Sequence, residues 1–441
     1  MSPEVLGLVL LGALLAAIFI GFPIAFTLIF LGVIFGYIGF GPVVFDLMVL
    51  QTFGLMQEEV LAAVPLFVFM GYILERAGLV ERLFSAFQLL MGPVRGSLYL
   101  VVLLTATVFA TATGIIGASV TLLGILAAST MMKAGYSTRL SAGTITAGGT
   151  LGILIPPSVM LVLLGPVAGI SVIRLFAAAV LPGLLLSGLY IAYTMGRSFL
   201  RPELGPPLPV EQRATSWGQL LRELLLGVIP IALLIFAALG SILIGLATPT
   251  EAAAMGAFAS LLLALAYRQM DLARLWHAMV QTLETSAMIL FLAAAANFYA
   301  AVFGRLGTGG WLTDIFLSLP FPPVIVLLLM MVLIFILGWP LEWPAIILIF
   351  LPIILPVISE LGFDLLWFSI LVAVNLQTAF LSPPVAVAAY YLKGVAPEME
   401  LGEIYGGMFE FMVLQVIGLT LLVLFPQIVL WLPNTLYGAA R

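Results

Sequence analysis

Two apolar stretches of this chain carry the same interruption, and few folds tolerate it. One is Gly148-Gly-Thr-Leu-Gly-Ile-Leu-Ile-Pro-Pro-Ser158 and the other Asn375-Leu-Gln-Thr-Ala-Phe-Leu-Ser-Pro-Pro384. Their Pro-Pro pairs, at 156/157 and 383/384, stand 227 residues apart. Adjacent prolines remove amide donors and clash with the preceding turn, and adjacent glycines cost backbone entropy, so neither stretch reads as an unbroken helix. Both lie in runs long enough to cross a membrane, and composition makes a membrane the setting. Of 441 residues 63% are hydrophobic and 8% charged, with mean hydropathy +1.28, whereas soluble chains carry about 25% charge. At bilayer depth, broken backbone survives only where protein buries it or where it lines a wet cavity.

The same composition excludes much chemistry. There is no Cys, so disulfides, iron–sulfur clusters and thiol redox cofactors are ruled out. Neither Lys133 nor Lys393 sits in a G-x-x-x-x-G-K loop, so no ATP site of that kind is expected. The one histidine, His277, reads as an interfacial residue beside Trp276. An intramembrane enzyme would need a Ser/His or paired-Asp set within a span, and none is present. The net charge of −5 is dispersed, and no nucleic-acid partner is expected. The first basic residue is Arg76, so residues 4–20 read as a retained first helix rather than a cleaved signal.

The fold class that follows is an all-α polytopic membrane protein. Residues 97–132 are uncharged and too short for two comfortable spans plus a turn. With small and hydroxyl residues at their centre (Thr111-Ala-Thr-Gly-Ile-Ile-Gly-Ala-Ser119), they read as a re-entrant hairpin. Residues 322–359 repeat that design, broken at Gly338-Trp-Pro-Leu-Glu-Trp-Pro344. Broken helices follow the hairpins at about 140–165 and 364–391. At the offset of 227, Ala118 meets Ala345, Gly135 meets Gly362 and Leu154 meets Leu381; Arg76-x-Gly78 resembles Arg305-x-Gly307 at 229. The expected division is 1–60, N-terminal scaffold helices; 61–200, a first repeat; 201–284, a cytoplasmic loop, two connecting spans and a surface helix over Asp271–Glu284; and 285–441, a second repeat whose last span is 408–432. Placing the 197–222 loop in the cytoplasm puts twelve basic residues inside and three outside. Both termini are then periplasmic. Five crossings separate the hairpins, so the repeat is inverted, as in alternating-access carriers.

Unwound backbone frees carbonyl oxygens, and Thr and Ser add hydroxyls; together these suit Na⁺. Two Na⁺ sites are expected, one from Thr111, Thr113, Gly114, Gly149 and Thr150, the other from Gly338, Glu342, Asn375, Gln377 and Thr378. Thr and Ser also bond to their own helix backbone, so each hydroxyl has an equally ordinary structural reading. Pro156 and Pro383 are read as starting the second half-helices, with Ser382 as an N-cap. Free amides and the helix dipole there favour a carboxylate. Gly152, Pro156, Pro157, Ser158, Ser382, Pro383 and Pro384 are therefore the expected substrate contacts.

Several stretches together resemble the large membrane subunit of tripartite ATP-independent periplasmic (TRAP) transporters, DctM-like members of the ion-transporter superfamily. They are Gly21-Phe-Pro-Ile-Ala25, Ala63-Val-Pro-Leu-Phe67, Gly148–Ser158, Leu181-Pro-Gly183, Thr248-Pro-Thr-Glu-Ala252, Ser382-Pro-Pro384 and Phe425-Pro-Gln-Ile-Val-Leu-Trp-Leu-Pro433. The resemblance implies an elevator carrier in the bacterial inner membrane, coupled to Na⁺ and importing organic acid anions. It also implies a small four-helix membrane subunit and a periplasmic substrate-binding protein as partners. The alternative is a stand-alone anion symporter or antiporter of the same inverted fold. The tip Thr111-Ala-Thr-Gly departs from the Ser- and Gly-richer pattern the resemblance leads one to expect.

Overall fold

The structure, a computed structural model, describes residues 2–114, 116–208, 216–383 and 386–438, and of residues 110–113 the backbone only. Pro384 and the side chains of Thr111 and Thr113 thus lie outside the described residues. The described chain is nearly all helix, and eight of its helices are long and apolar enough to cross a membrane. Helices α1 (Pro3–Ile20) and α2 (Ile24–Phe40) are joined at Gly21-Phe-Pro23, where Gly21 takes φ 101°. Helices α3 (Val43–Met56) and α4 (Glu59–Arg76) form a pair bent by 62°.

From α4 onward one order of elements occurs twice. After α4 come α5 (Leu79–Met91), the hairpin α6 (Ser97–Thr113) and α7 (Ile116–Lys133), the broken helix α8 (Thr138–Thr150) and α9 (Val159–Ala168), and α10 (Val172–Leu200). Two helices intervene, α11 (Trp217–Leu243) and α12 (Pro249–Ala266), the second opened by a Thr248/Glu251 capping box. The order then returns as α13 (Leu272–Arg305), α14 (Thr308–Leu317), α15 (Pro323–Leu337) with α16 (Trp343–Glu360), α17 (Leu365–Ala379) with α18 (Val387–Val395), and α19 (Leu401–Leu424), before α20 (Gln427–Tyr437). Local devices match as well. Gly135 and Gly362 turn left-handed at φ 77° and 78°, and two residues later Ser137 and Asp364 cap the first half-helices through the Leu140 and Trp367 amides.

Two boundaries differ from the sequence reading. The surface helix over Asp271–Glu284 and the span at 285–303 are one helix, α13, because no Gly or Pro occurs between Leu272 and Phe303 to stop it. At 34 residues it is about 51 Å long, well beyond a hydrocarbon core of about 30 Å. The span at 408–432 is instead α19 and α20, parted at Phe425-Pro426, where proline withholds its amide.

The broken helices lie at the centre. Helix α8 packs along α19 and against both legs of the first hairpin, while α17 packs against α15, α10 and α19. Close approach at the α8–α19 crossing depends on glycine: a Cβ on Gly407 would fall 2.0 Å from the Arg139 carbonyl oxygen, and one on Gly143 would meet the Gly407 carbonyl at 2.6 Å. An ionic cluster fixes the same crossing. Arg139 pairs with Glu410 at 2.8 Å and Arg197 pairs with it at 3.4 Å, while the Tyr193 hydroxyl donates to Glu410 at 2.6 Å. Gly407→Ala is expected to lower the stability of the purified protein by about 1–3 kcal/mol through overpacking. Gly402→Ala on the same helix, with nothing within 4 Å, should cost nothing measurable by thermal unfolding.

Candidate functional site

The two breaks are held by side chains, and they hold each other. After α8 one turn of tighter helix, Leu151–Ile153, ends the first half. Ser158 then closes the gap: its hydroxyl donates to the Ile153 carbonyl and accepts from the Leu161 amide at 3.4 Å. The second half-helix, α9, does not start at Pro156 but at Val159, with Ser158 as its N-cap. The second half of the other broken helix begins at Val387, four residues past Pro383. Ser382 is not its cap. Its hydroxyl donates to the Ala379 carbonyl at 3.1 Å and accepts from the Trp339 indole N–H at 2.9 Å. The helix-start rule for proline fails at the first break because Pro157 and Ser158 are spent making the gap rather than the next turn.

Across the gaps, the Gln377 side-chain amide donates to the Thr150 hydroxyl at 3.1 Å, and both residues are fully buried. The Thr150 hydroxyl gives its own proton to the Ala147 carbonyl at 2.8 Å, and Thr378 gives its proton to Val374 at 3.0 Å. Each hydroxyl therefore satisfies its helix and keeps lone pairs for a cation or a donor. Gln377 Oε1 is buried without a hydrogen-bond partner among the described residues, an oxygen that a bound cation or water would satisfy. Asn375 is tied to the second hairpin through the Met331 carbonyl at 2.7 Å.

Glycines bring the hairpins onto the breaks. A Cβ on Gly149 would fall 2.4 Å from Val120 Cγ2 on α7, and one on Gly338 would fall 2.5 Å from the Ala379 Cβ. Gly114, left-handed at φ 61°, ends α6 beside the Val159 amide that opens α9.

Between the two hairpin tips lies a cavity of about 330 Å³. Gly114, Ile116 and Gly117 of the first tip line it, with Gly338–Pro344 of the second, Ile153, Ala379 and Phe380 at the breaks, and Val387 and Tyr391 of α18. Its far wall is α13, through Thr285, Met288, Ile289 and Leu292. Of the expected residues, Gly114, Gly338 and Glu342 border this cavity. Glu342 is exposed at the second tip. Gly149, Thr150, Asn375, Gln377 and Thr378 lie outside the lining, in the buried layer that carries the Thr150–Gln377 bond. Gly152, Pro156, Pro157, Ser158, Ser382 and Pro383 do not border the cavity either, and all but Pro383 are buried.

The sequence reading missed the α13 face, Trp339, Phe380 and Tyr391. The α13 face was legible as an i, i+3, i+4, i+7 stripe within the 285–303 span, but such a stripe does not say what it faces. Thr285 shares a hydrogen bond of 2.9 Å with the Tyr72 hydroxyl of α4.

The family described as "Tripartite ATP-independent periplasmic transporter, DctM component" matches residues 11–428. The chain belongs to the DctM family. It is thus the large permease component of a TRAP transporter, and it resembles curated members along its length. The 2,3-diketo-L-gulonate TRAP transporter large permease protein YiaN of Escherichia coli is 28% identical, over 96% of this chain and 98% of that one. The sialic acid TRAP transporter large permease protein SiaM of Vibrio cholerae is 30% identical, over 96% and 97%. The C4-dicarboxylate TRAP transporter large permease protein DctM of Pseudomonas aeruginosa is 31% identical, over 88% and 89%. In fold, this DctM chain resembles the YdaH transporter of Alcanivorax borkumensis with a TM-score of 0.59 at 18% identity, covering 88% of this chain and 89% of that one.

The Thr150–Gln377 contact is open to a double-mutant cycle. Thr150→Val and Gln377→Leu should each lower thermal stability, and the double variant should fall short of their sum by about 1 kcal/mol. Strictly additive losses would mean that the two side chains do not bond.

Proposed function

We propose that this chain is the translocating subunit of a Na⁺-coupled importer of organic acid anions in the bacterial inner membrane. A periplasmic binding protein delivers the substrate, and a small four-helix membrane subunit completes the complex. The observation that carries the reading is the cavity bordered by two hairpin tips, two helix breaks, one face of α13 and Ile24 of α2. Relatives named for diketogulonate, sialic acid and C4-dicarboxylates support a carboxylate as the cargo.

In this reading α4 through α10 and α13 through α19 are two inverted copies. Positions 150 and 377 differ by the offset that aligns the copies, and equivalent positions that touch lie at the axis relating them. The hairpins and broken helices move as one body against α13 and its neighbours, carrying the cavity from one side of the membrane to the other. One Na⁺ is held at the first break, with Thr150 Oγ1, Gly149 and the tip around Gly114; the other at the second, with Thr378, Gln377, Asn375 and Gly338. These cations supply the positive charge that attracts the substrate carboxylate, since no Arg, Lys or His borders the cavity among the described residues. In this proposal Glu342, which borders the cavity, acts on the substrate rather than as a cation ligand.

Uptake in proteoliposomes holding all three components should follow an inward Na⁺ gradient. Uptake that ignores Na⁺ and follows pH would overturn the coupling. Thr378→Ala should raise the Na⁺ needed for half-maximal uptake by about tenfold, equivalent to about 1.4 kcal/mol, with protein abundance unchanged. Equal loss of both would make Thr378 a structural residue. The absence of cysteine permits a topology test: Lys133→Cys and Glu360→Cys, at the exposed bases of the two hairpins, should be labelled from opposite sides of the membrane. Labelling from one side only would contradict inversion.

A further inference from the structure

The cavity wall narrows the substrate class, on the proposed reading of a Na⁺-coupled carboxylate carrier. Its side chains are mostly apolar, and four of them are aromatic: Trp339, Trp343, Phe380 and Tyr391. Facing them across α13 are Met288, Ile289 and Leu292. Two polar groups on the wall are already engaged, because the Trp339 indole N–H is given to Ser382 and the Thr285 hydroxyl is shared with Tyr72. Among the described lining residues Glu342 is the one that carries a charge, and it is negative.

We infer that this cavity takes monocarboxylates with an apolar or aromatic body and rejects dicarboxylates. Charge and surface both lead there. Two bound cations and Glu342 leave one positive charge for the substrate to balance, which one carboxylate does. A second carboxylate would add a like charge near Glu342, with no Arg or Lys among the described lining residues to take it up. It would also set a strongly hydrated group against aromatic rings, where the Tyr391 hydroxyl and the Trp343 indole N–H are the side-chain donors among the described lining residues for a whole carboxylate's hydration to be exchanged against. An apolar or aromatic body buries its surface against those rings instead. The carboxylate end is then directed to Gly114 and Gly117 of the first tip and the cation beside them, away from Glu342. Glu342 acts here as a specificity-determining residue, and the rings as the complementary surface.

The test uses the full-length chain in lipid nanodiscs in saturating Na⁺, with phenylacetate, succinate and L-phenylalanine as probes and binding read by calorimetry. Phenylacetate should bind at least about tenfold more tightly than succinate. Glu342→Gln should narrow that ratio by strengthening succinate, and Trp343→Leu should narrow it by weakening phenylacetate. Intrinsic fluorescence gives a second readout, since Trp339 and Trp343 stand in the wall. Succinate binding as tightly as phenylacetate overturns the inference and leaves carboxylate import intact. L-Phenylalanine binding more tightly than phenylacetate also overturns it, by making Glu342 the partner of an ammonium group. Binding of none of the three overturns this inference, while the function it rests on stands or falls by the Na⁺-driven uptake measurement.

Discussion

In a bilayer every backbone donor and acceptor needs a partner, and a helix that stops halfway leaves several without one. The fold can be read as the answer to that demand at two places. At the first break Ser158 serves both sides of the gap, donating to Ile153 and accepting from Leu161. At the second, the Trp339 indole and the Ala379 carbonyl converge on Ser382. The Thr150–Gln377 bond then joins the two breaks directly. The gaps are thus sewn from inside the protein, which is why they can exist at depth. Among the described residues, Gln377 Oε1 stays unmatched within that layer.

The same arrangement explains the spread of glycine. Gly149 and Gly338 admit α7 and the α17 end to distances that a Cβ would forbid, so the hairpin tips close directly over the breaks. The consequence is a separation of roles in depth. Hydroxyl and amide oxygens occupy a buried layer, while the cavity in front of it is walled by aromatic rings, glycine backbone and Glu342. Helix α13 closes that cavity with Met288, Ile289 and Leu292 beside Thr285.

How legible this was in the sequence follows from whether a signal was local. Hairpins and breaks were visible because Gly, Pro and hydroxyl residues act on the backbone within a turn or two, and the left-handed glycines at 135 and 362 fall where the offset of 227 puts them. Boundaries went astray where polarity was read as a helix end. Glu284 suggested an interface, yet nothing near it stops a helix, so α13 runs through. Pro426 does stop one, and its effect on the last span was underweighted. The half-helix starts were misplaced because each gap is longer than its prolines alone require. What no local rule could supply is which distant side chains meet. Tyr72 with Thr285, Trp339 with Ser382, and Tyr391 over Gly117 are consequences of packing.

The central claim is that two helix breaks meet inside the protein and leave oxygens free to hold cations beside a substrate cavity. The most direct measurement is a density map of the chain in a lipid bilayer, recorded once in Na⁺ and once in choline. The account predicts that Thr150 and Gln377 stay in contact in both. In Na⁺ alone, separate ion densities should appear near Thr150 and near Thr378. Breaks that face lipid, or maps without ion density in either salt, would contradict it.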